Sequence, residues 1–134
     1  MAHRYVLDTH ALVWHLEGNP RLGPQAKRAI DDPVSSLVLP IIALAEAAYI
    51  VEHGRTAIPT VSDLLKSVFA DLRISIQPMT WEVFQASLGA SMLPEMHDRL
   101  IVGSALHLHS FGDTISLLTK DASIVQSGLV ATLW

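Results

Sequence analysis

Three short runs in this chain are apolar on nearly every consecutive residue: Tyr5-Val6-Leu7, Ser36-Leu37-Val38-Leu39, and Ile115-Ser116-Leu117-Leu118-Thr119. A strand with one wet face alternates apolar and polar side chains. One that is apolar at successive positions is covered on both faces, as in a parallel sheet. Parallel neighbours need a long crossover, usually a helix, and the intervening segments supply candidates. Thr9 to Glu17 reads as a helix ended by Gly18-Asn19-Pro20, and Gln25 to Ile30 continues from Pro24, which a first helical turn accepts. Pro40 opens the longest helical pattern, Ile41 to His53, closed by Gly54. Further helices are predicted over 61–72, 81–91 and 97–110. Ile74 to Gln77 reads as an edge strand, because Pro78 cannot feed a central ladder. Val130 to Trp134 reads as the last strand. Strands alternating with helices, without repeat or linker, predict one α/β domain over 1–134 with a mainly parallel sheet of about five strands.

Composition narrows the field. Half of the 134 residues are hydrophobic and 16% are charged, so the chain has the means to bury a core. The net charge of −4 offers no basic field for nucleic acid. Bound cations would nevertheless reverse the local sign. The absence of cysteine removes disulfides, thiolate metal sites and cysteine nucleophiles together. Met1-Ala2-His3-Arg4 leads straight into the first apolar run with no signal-peptide pattern, and nothing approaches the ~18 apolar residues of a membrane span. The expectation is a soluble, cytoplasmic protein without membrane contact. The positive mean hydropathy predicts apolar surface left for a partner, assigned here to the Ala-, Leu- and Val-rich stretch 41–51.

Four acids adjoin these apolar elements. Asp8 and Asp121 follow strands, on the edge of an open parallel sheet where ligands bind. Glu46 lies six residues into the helix that leaves the second strand, and Asp98 stands in the first turn of its own helix, where the dipole favours a carboxylate. If the first strand neighbours the one leading to Asp121, all four can converge. A carboxylate beside a core is unfavourable unless paired, and a hard divalent cation such as Mg²⁺ or Mn²⁺ pairs with several at once. Each acid also has a plainer role available: turn residue for Asp8, helix cap for Asp98 and Asp121, solvated helix face for Glu46.

The segment Val6-Leu7-Asp8-Thr9-His10-Ala11-Leu12-Val13-Trp14 resembles the opening of PIN-domain nucleases, above all VapC-type toxins of bacterial toxin–antitoxin pairs. Ala45-Glu46-Ala47, His97-Asp98-Arg99-Leu100-Ile101-Val102-Gly103-Ser104-Ala105 and Leu118-Thr119-Lys120-Asp121 resemble the family's later acidic motifs, in order, over nearly the whole chain. The resemblance implies a three-layer α/β/α PIN fold, Mg²⁺ or Mn²⁺ dependence, endoribonuclease activity, and an antitoxin partner whose tail covers the active-site groove. It makes Asp8, Glu46, Asp98 and Asp121 the catalytic and metal-holding acids. Thr9, Thr119, His10 and His97 are candidates to orient them. Two positions depart from the common pattern: Ala43 stands where many relatives have a hydroxyl, and His97 where many have phenylalanine.

Other residues receive simpler assignments. The seven histidines show no transition-metal spacing. Trp14, Trp81, Phe84 and Trp134 sit in apolar patterns and are assigned to the core rather than to base stacking. Arg4, Arg99 and Lys120, next to the acids, and Arg21, Lys27 and Arg28 are candidates to meet RNA phosphates or to be merely solvated. The apolar surface suits an antitoxin or a second copy, as in a homodimer. A response-regulator module is a poor alternative: it needs a mid-chain aspartate at a strand end, and the nearest aspartate is Asp63, in a predicted helix. A PIN-like module that binds RNA or protein without cleaving, and a PIN nuclease with no antitoxin, remain as alternative functions.

Overall fold

A computed structural model describes residues 3–134. The order of elements is β1 (His3–Leu7), α1 (Thr9–Glu17), α2 (Pro24–Asp31), β2 (Ser36–Pro40), α3 (Ile41–Glu52), α4 (Val61–Ala70), β3 (Ile74–Gln77), α5 (Trp81–Ser87), α6 (Met96–His109), β4 (Thr114–Leu118), α7 (Ala122–Ser127) and β5 (Ala131–Leu133). Every strand pairing is parallel, in the order β3-β2-β1-β4-β5. The first strand does neighbour the strand leading to Asp121, in a register that places Leu7 beside Leu118.

Consecutive residues Val6 and Leu7, Leu37 to Leu39, and Leu117 and Leu118 are almost wholly buried. Both faces of the sheet centre are therefore covered, as the runs predict. Ser75, on β3, is exposed, and β3 takes an edge of the sheet with Pro78 immediately after it. From β1 the chain steps outward through β2 to β3, then returns past β1 to β4 and β5. The order thus reverses between β1 and β4, a topological switch point whose carboxyl edge opens a crevice.

Boundaries move by a few residues. The helix expected over 81–91 stops at Ser87 and continues as a 3₁₀ turn, Leu88–Ala90. Asp121 begins a further short helix, α7. The close approach of α5 to α6 requires Gly103: a Cβ there would lie 2.8 Å from the Ser87 Cβ and 2.9 Å from its backbone. The larger departure concerns the aromatics. Trp81 is 65% exposed and Phe84 42%, so neither belongs to the core, whereas Trp14 and Trp134 pack against it, half-buried. Leu88, Met92 and Met96 are exposed as well. The main apolar surface thus lies along α5, the 3₁₀ turn and the start of α6. On α3, the stretch assigned that role, Ile41 and Tyr49 are the large hydrophobic side chains left exposed.

Candidate active site

Asp8 and Asp121 owe their positions to helix starts. The Asp8 Oδ1 accepts the Ala11 N–H at 2.9 Å and caps α1, and the Asp121 Oδ1 accepts the Ile124 N–H at 3.0 Å and caps α7. Capping is therefore real for both, yet each uses one oxygen for it and both residues line the same cleft. Because β1 and β4 are neighbours, these two capped carboxylates stand side by side at the switch point. Glu46 reaches the cleft from α3 and Asp98 from the first turn of α6. Four acids from four elements line one concavity of about 380 Å³, together with Thr9, His10, Glu95, His97, Lys120 and Trp134.

Three of the candidate orienting residues touch an acid. The Thr9 hydroxyl donates to Glu46 Oε1 at 3.0 Å, and His97 Nδ1 lies 3.4 Å from Glu46 Oε2. Thr119 is buried, accepts the Asp121 N–H at 3.1 Å, and its hydroxyl also stabilises the Asp8 carboxylate. His10 lines the cleft but packs against Trp14 instead. Ala43 is fully buried, out of the cleft, and the hydroxyl that serves Glu46 comes from Thr9.

Burial and crowding make two of these acids, Asp8 and Asp98, reluctant anions. Asp8 is held above the usual carboxylate range by burial, opposed by hydrogen bonds from Thr119 and the Ala11 N–H. Asp98 is pushed up to about 6, first by desolvation and then by Asp121, Glu46, Glu95 and Asp8. A divalent cation would offset both effects by placing positive charge among the carboxylates. All the acidic donors are oxygen, the preference of Mg²⁺ and Mn²⁺. Among the described residues, no three such groups already close around a single point. A cation that keeps several of its waters, as Mg²⁺ does, suits acids that share a cleft in this way. The donor set fits such an ion.

Two cleft residues fall outside the sequence expectations. Glu95 precedes α6 and helps raise the Asp98 carboxyl by like-charge repulsion. An acid just before a helix that already starts with one was the available signal. Trp134 lines the cleft and is fitted so tightly against Gly23 that a Cβ on that glycine would collide with its backbone and ring.

A parallel α/β domain with an acid-lined cleft at its switch point is one class of hydrolase scaffold. Residues 5–126 match the model of the PIN domain, and the chain belongs to that family of nucleases, which generally use divalent metal ions. No curated protein sequence matches the chain. Among solved structures, the fold is similar to that of VapBC2 from Rickettsia felis bound to a DNA fragment from their promoter, at 14% identity and a TM-score of 0.68, with 96% of each chain covered. It is similar also to a toxin–antitoxin complex from Klebsiella pneumoniae, at 16% identity and a TM-score of 0.66, again over 96% of each chain. FitAcB from Neisseria gonorrhoeae is alike at 16% identity and a TM-score of 0.62, over 97% of this chain and 96% of that one. Among the described residues, no helix is long and apolar enough to cross a membrane.

Proposed function

We propose that this PIN domain is a Mg²⁺- or Mn²⁺-dependent endoribonuclease, the VapC-type toxin of a toxin–antitoxin pair, acting in the cytoplasm as a single domain over 1–134. One observation carries the reading: four carboxylates from four separate elements line one cleft at the point where the strand order reverses. Asp8, Glu46, Asp98 and Asp121 hold the cation through oxygen. When bound, a divalent ion lowers the pKa of a water and stabilises charge developing on a phosphoryl oxygen.

The residues around the acids fix their geometry. Thr9 pins one Glu46 oxygen and His97 sits against the other; Thr119 ties Asp8 to the backbone of Asp121. Such supporting contacts are worth about 10–100-fold in activity or metal affinity. The likeness to toxin–antitoxin complexes supports an antitoxin partner. The exposed apolar strip of Phe84, Leu88 and Met96 supports a homodimer.

The test is cleavage of mixed RNAs by the purified protein, with Mg²⁺, with Mn²⁺ and with EDTA, beside an Asp8→Asn/Asp98→Asn variant. Metal-dependent cleavage absent from the variant is the expected result. A folded, partner-free protein that binds RNA and cuts none, in either metal, replaces the reading with a binding module.

A further inference from the structure

The chain carries nine lysines and arginines, and their partners separate them into two groups. Arg4 pairs with Asp113, Lys27 with Asp31 and Arg73 with Asp71, while Arg99 donates to the Leu93 and Ser91 carbonyls. That commits four of the nine and leaves Arg21, Arg28, Arg55, Lys66 and Lys120 with no side-chain ion pair or hydrogen bond among the described residues. Three of these five gather at one end of the acidic cleft. Lys120 lines the cleft itself. Arg21 and Arg55 line a second, polar depression of about 180 Å³ that shares His10 and Ile50 with the cleft and so continues it.

Trp14 stands between the two. The Lys120 Nζ lies 4.8 Å from its ring centroid and the Arg21 Cζ 6.0 Å, both within the range of cation–π attraction. Trp134 meets Trp14 edge-on at 5.7 Å and His10 packs beside it at 5.1 Å, so the indole is held from several sides. This arrangement explains an oddity. Lys120 is adjacent in sequence to Asp121 and shares a cleft with four acids, yet it makes no ion pair with any of them. The indole holds it at the rim. Glu17 also lines the second depression, but its two oxygens already accept from Thr56, the Ala57 N–H and Asn19.

We propose that Lys120, Arg21 and Arg55, arranged around Trp14, form a phosphate-binding track for single-stranded RNA on one side of the scissile bond. This deepens the nuclease reading and rests on it for the nature of the strand. The phosphate to be cut enters the acidic cleft, and flanking phosphates pass Lys120 and run on to Arg21 and Arg55. Trp14 is a positioning residue: it keeps the Lys120 charge available to the strand instead of to the carboxylates.

The test is the salt dependence of binding of a fluorescently labelled single-stranded RNA, measured by anisotropy in EDTA so that no cutting intrudes. Each phosphate contact on a single strand contributes about 0.7 to the slope of log K against log salt. Arg21→Ala/Arg55→Ala is expected to lower the slope by about 1.4 and Lys120→Ala by about 0.7. The control Arg28→Ala/Lys66→Ala, removing the two uncommitted cations outside the cluster, leaves it unchanged. Trp14→Leu lowers the slope as Lys120→Ala does, and Trp14→Phe, which keeps an aromatic face, restores it. Should Trp14→Leu not fold, the cation variants decide the matter alone. Slopes for the track variants equal to the control, or no RNA binding by the parent protein, overturn the proposal. Cleavage with Mg²⁺ is scored separately. A protein that cuts RNA while its track variants behave like the control keeps the nuclease and loses the track; expected slopes without cutting do the reverse.

Discussion

The acidic cleft and the apolar strip along α5 and α6 are built on different principles. In the cleft, backbone grammar sets the positions: two acids cap helices directly after strands, a third starts a helix, and the fourth is fixed by a hydroxyl from α1. In the strip, positions follow from packing, since α5 can lie along α6 only because Gly103 has no side chain. The cleft holds charge that the fold disfavours, and the strip holds hydrophobic area that water disfavours. Each is a site where the free chain is left unsatisfied, one electrostatically and one by hydration.

Asp8→Asn should separate chemistry from stability most sharply. Asparagine caps a helix as well as aspartate does, and the substitution removes a charge that burial opposes. Cleavage should fall by about 100- to 1000-fold, the scale for removing one electrostatic group at a reaction centre, while the thermal midpoint holds or rises. A variant that cuts RNA normally would break the contrast between the regions.

Gly103→Ala attacks the strip through its scaffold. The added methyl would meet the Ser87 backbone at 2.9 Å. Overpacking of this kind costs about 1–3 kcal/mol, to be read from denaturant unfolding. A stability equal to the parent's would show that α5 has room to shift.

A charge on the strip should act differently. Phe84→Asp/Leu88→Asp places carboxylates where both side chains are exposed, so folding stability should move by no more than about 0.5 kcal/mol per site. The mass in solution should fall from dimer to monomer by light scattering. A parent protein that is itself monomeric at high concentration would sink the dimer.

The smallest effect is on pH dependence. Asp98 has its carboxyl raised from 3.8 to about 6 in the fold, so its ionised form is less favoured there than in the unfolded chain. This penalty is absent below about 3.8 and complete above about 6, and the metal-free protein should lose stability as pH rises through that window. Because Asp98 is partly exposed, the shift in the thermal midpoint should be only about 2 °C. Asp98→Asn should flatten the curve in EDTA. An identical curve in the variant would assign the dependence to other groups.

The same contrast explains what could be read from sequence. Runs such as Val6-Leu7 and Leu117-Leu118 announce burial on both faces, and an acid directly after such a run has few places to go. Pro78 marked β3 as an edge for the same local reason. Trp81 and Phe84 depart from the core expectation because their pattern shows only that a helix has an apolar side. Whether another element covers that side depends on the packing of α5 against α6, which no local pattern states. Trp134 presented the opposite problem: it is packed against the core and is also a wall of the cleft. The committed and uncommitted cations were likewise indistinguishable until partners such as Asp113 and Asp71 were in place.

The pairing of β1 with β4 also constrains when the molecule becomes competent. His3 lies opposite Thr114 and Leu7 opposite Leu118, so on this side β1 waits for β4, a strand far along the chain. Contacts of such long sequence separation form slowly. Until β4 has joined, Asp8 has no Asp121 beside it and Thr119 is not there to support it. The acidic cleft therefore stays incomplete until two strands far apart in the sequence have met.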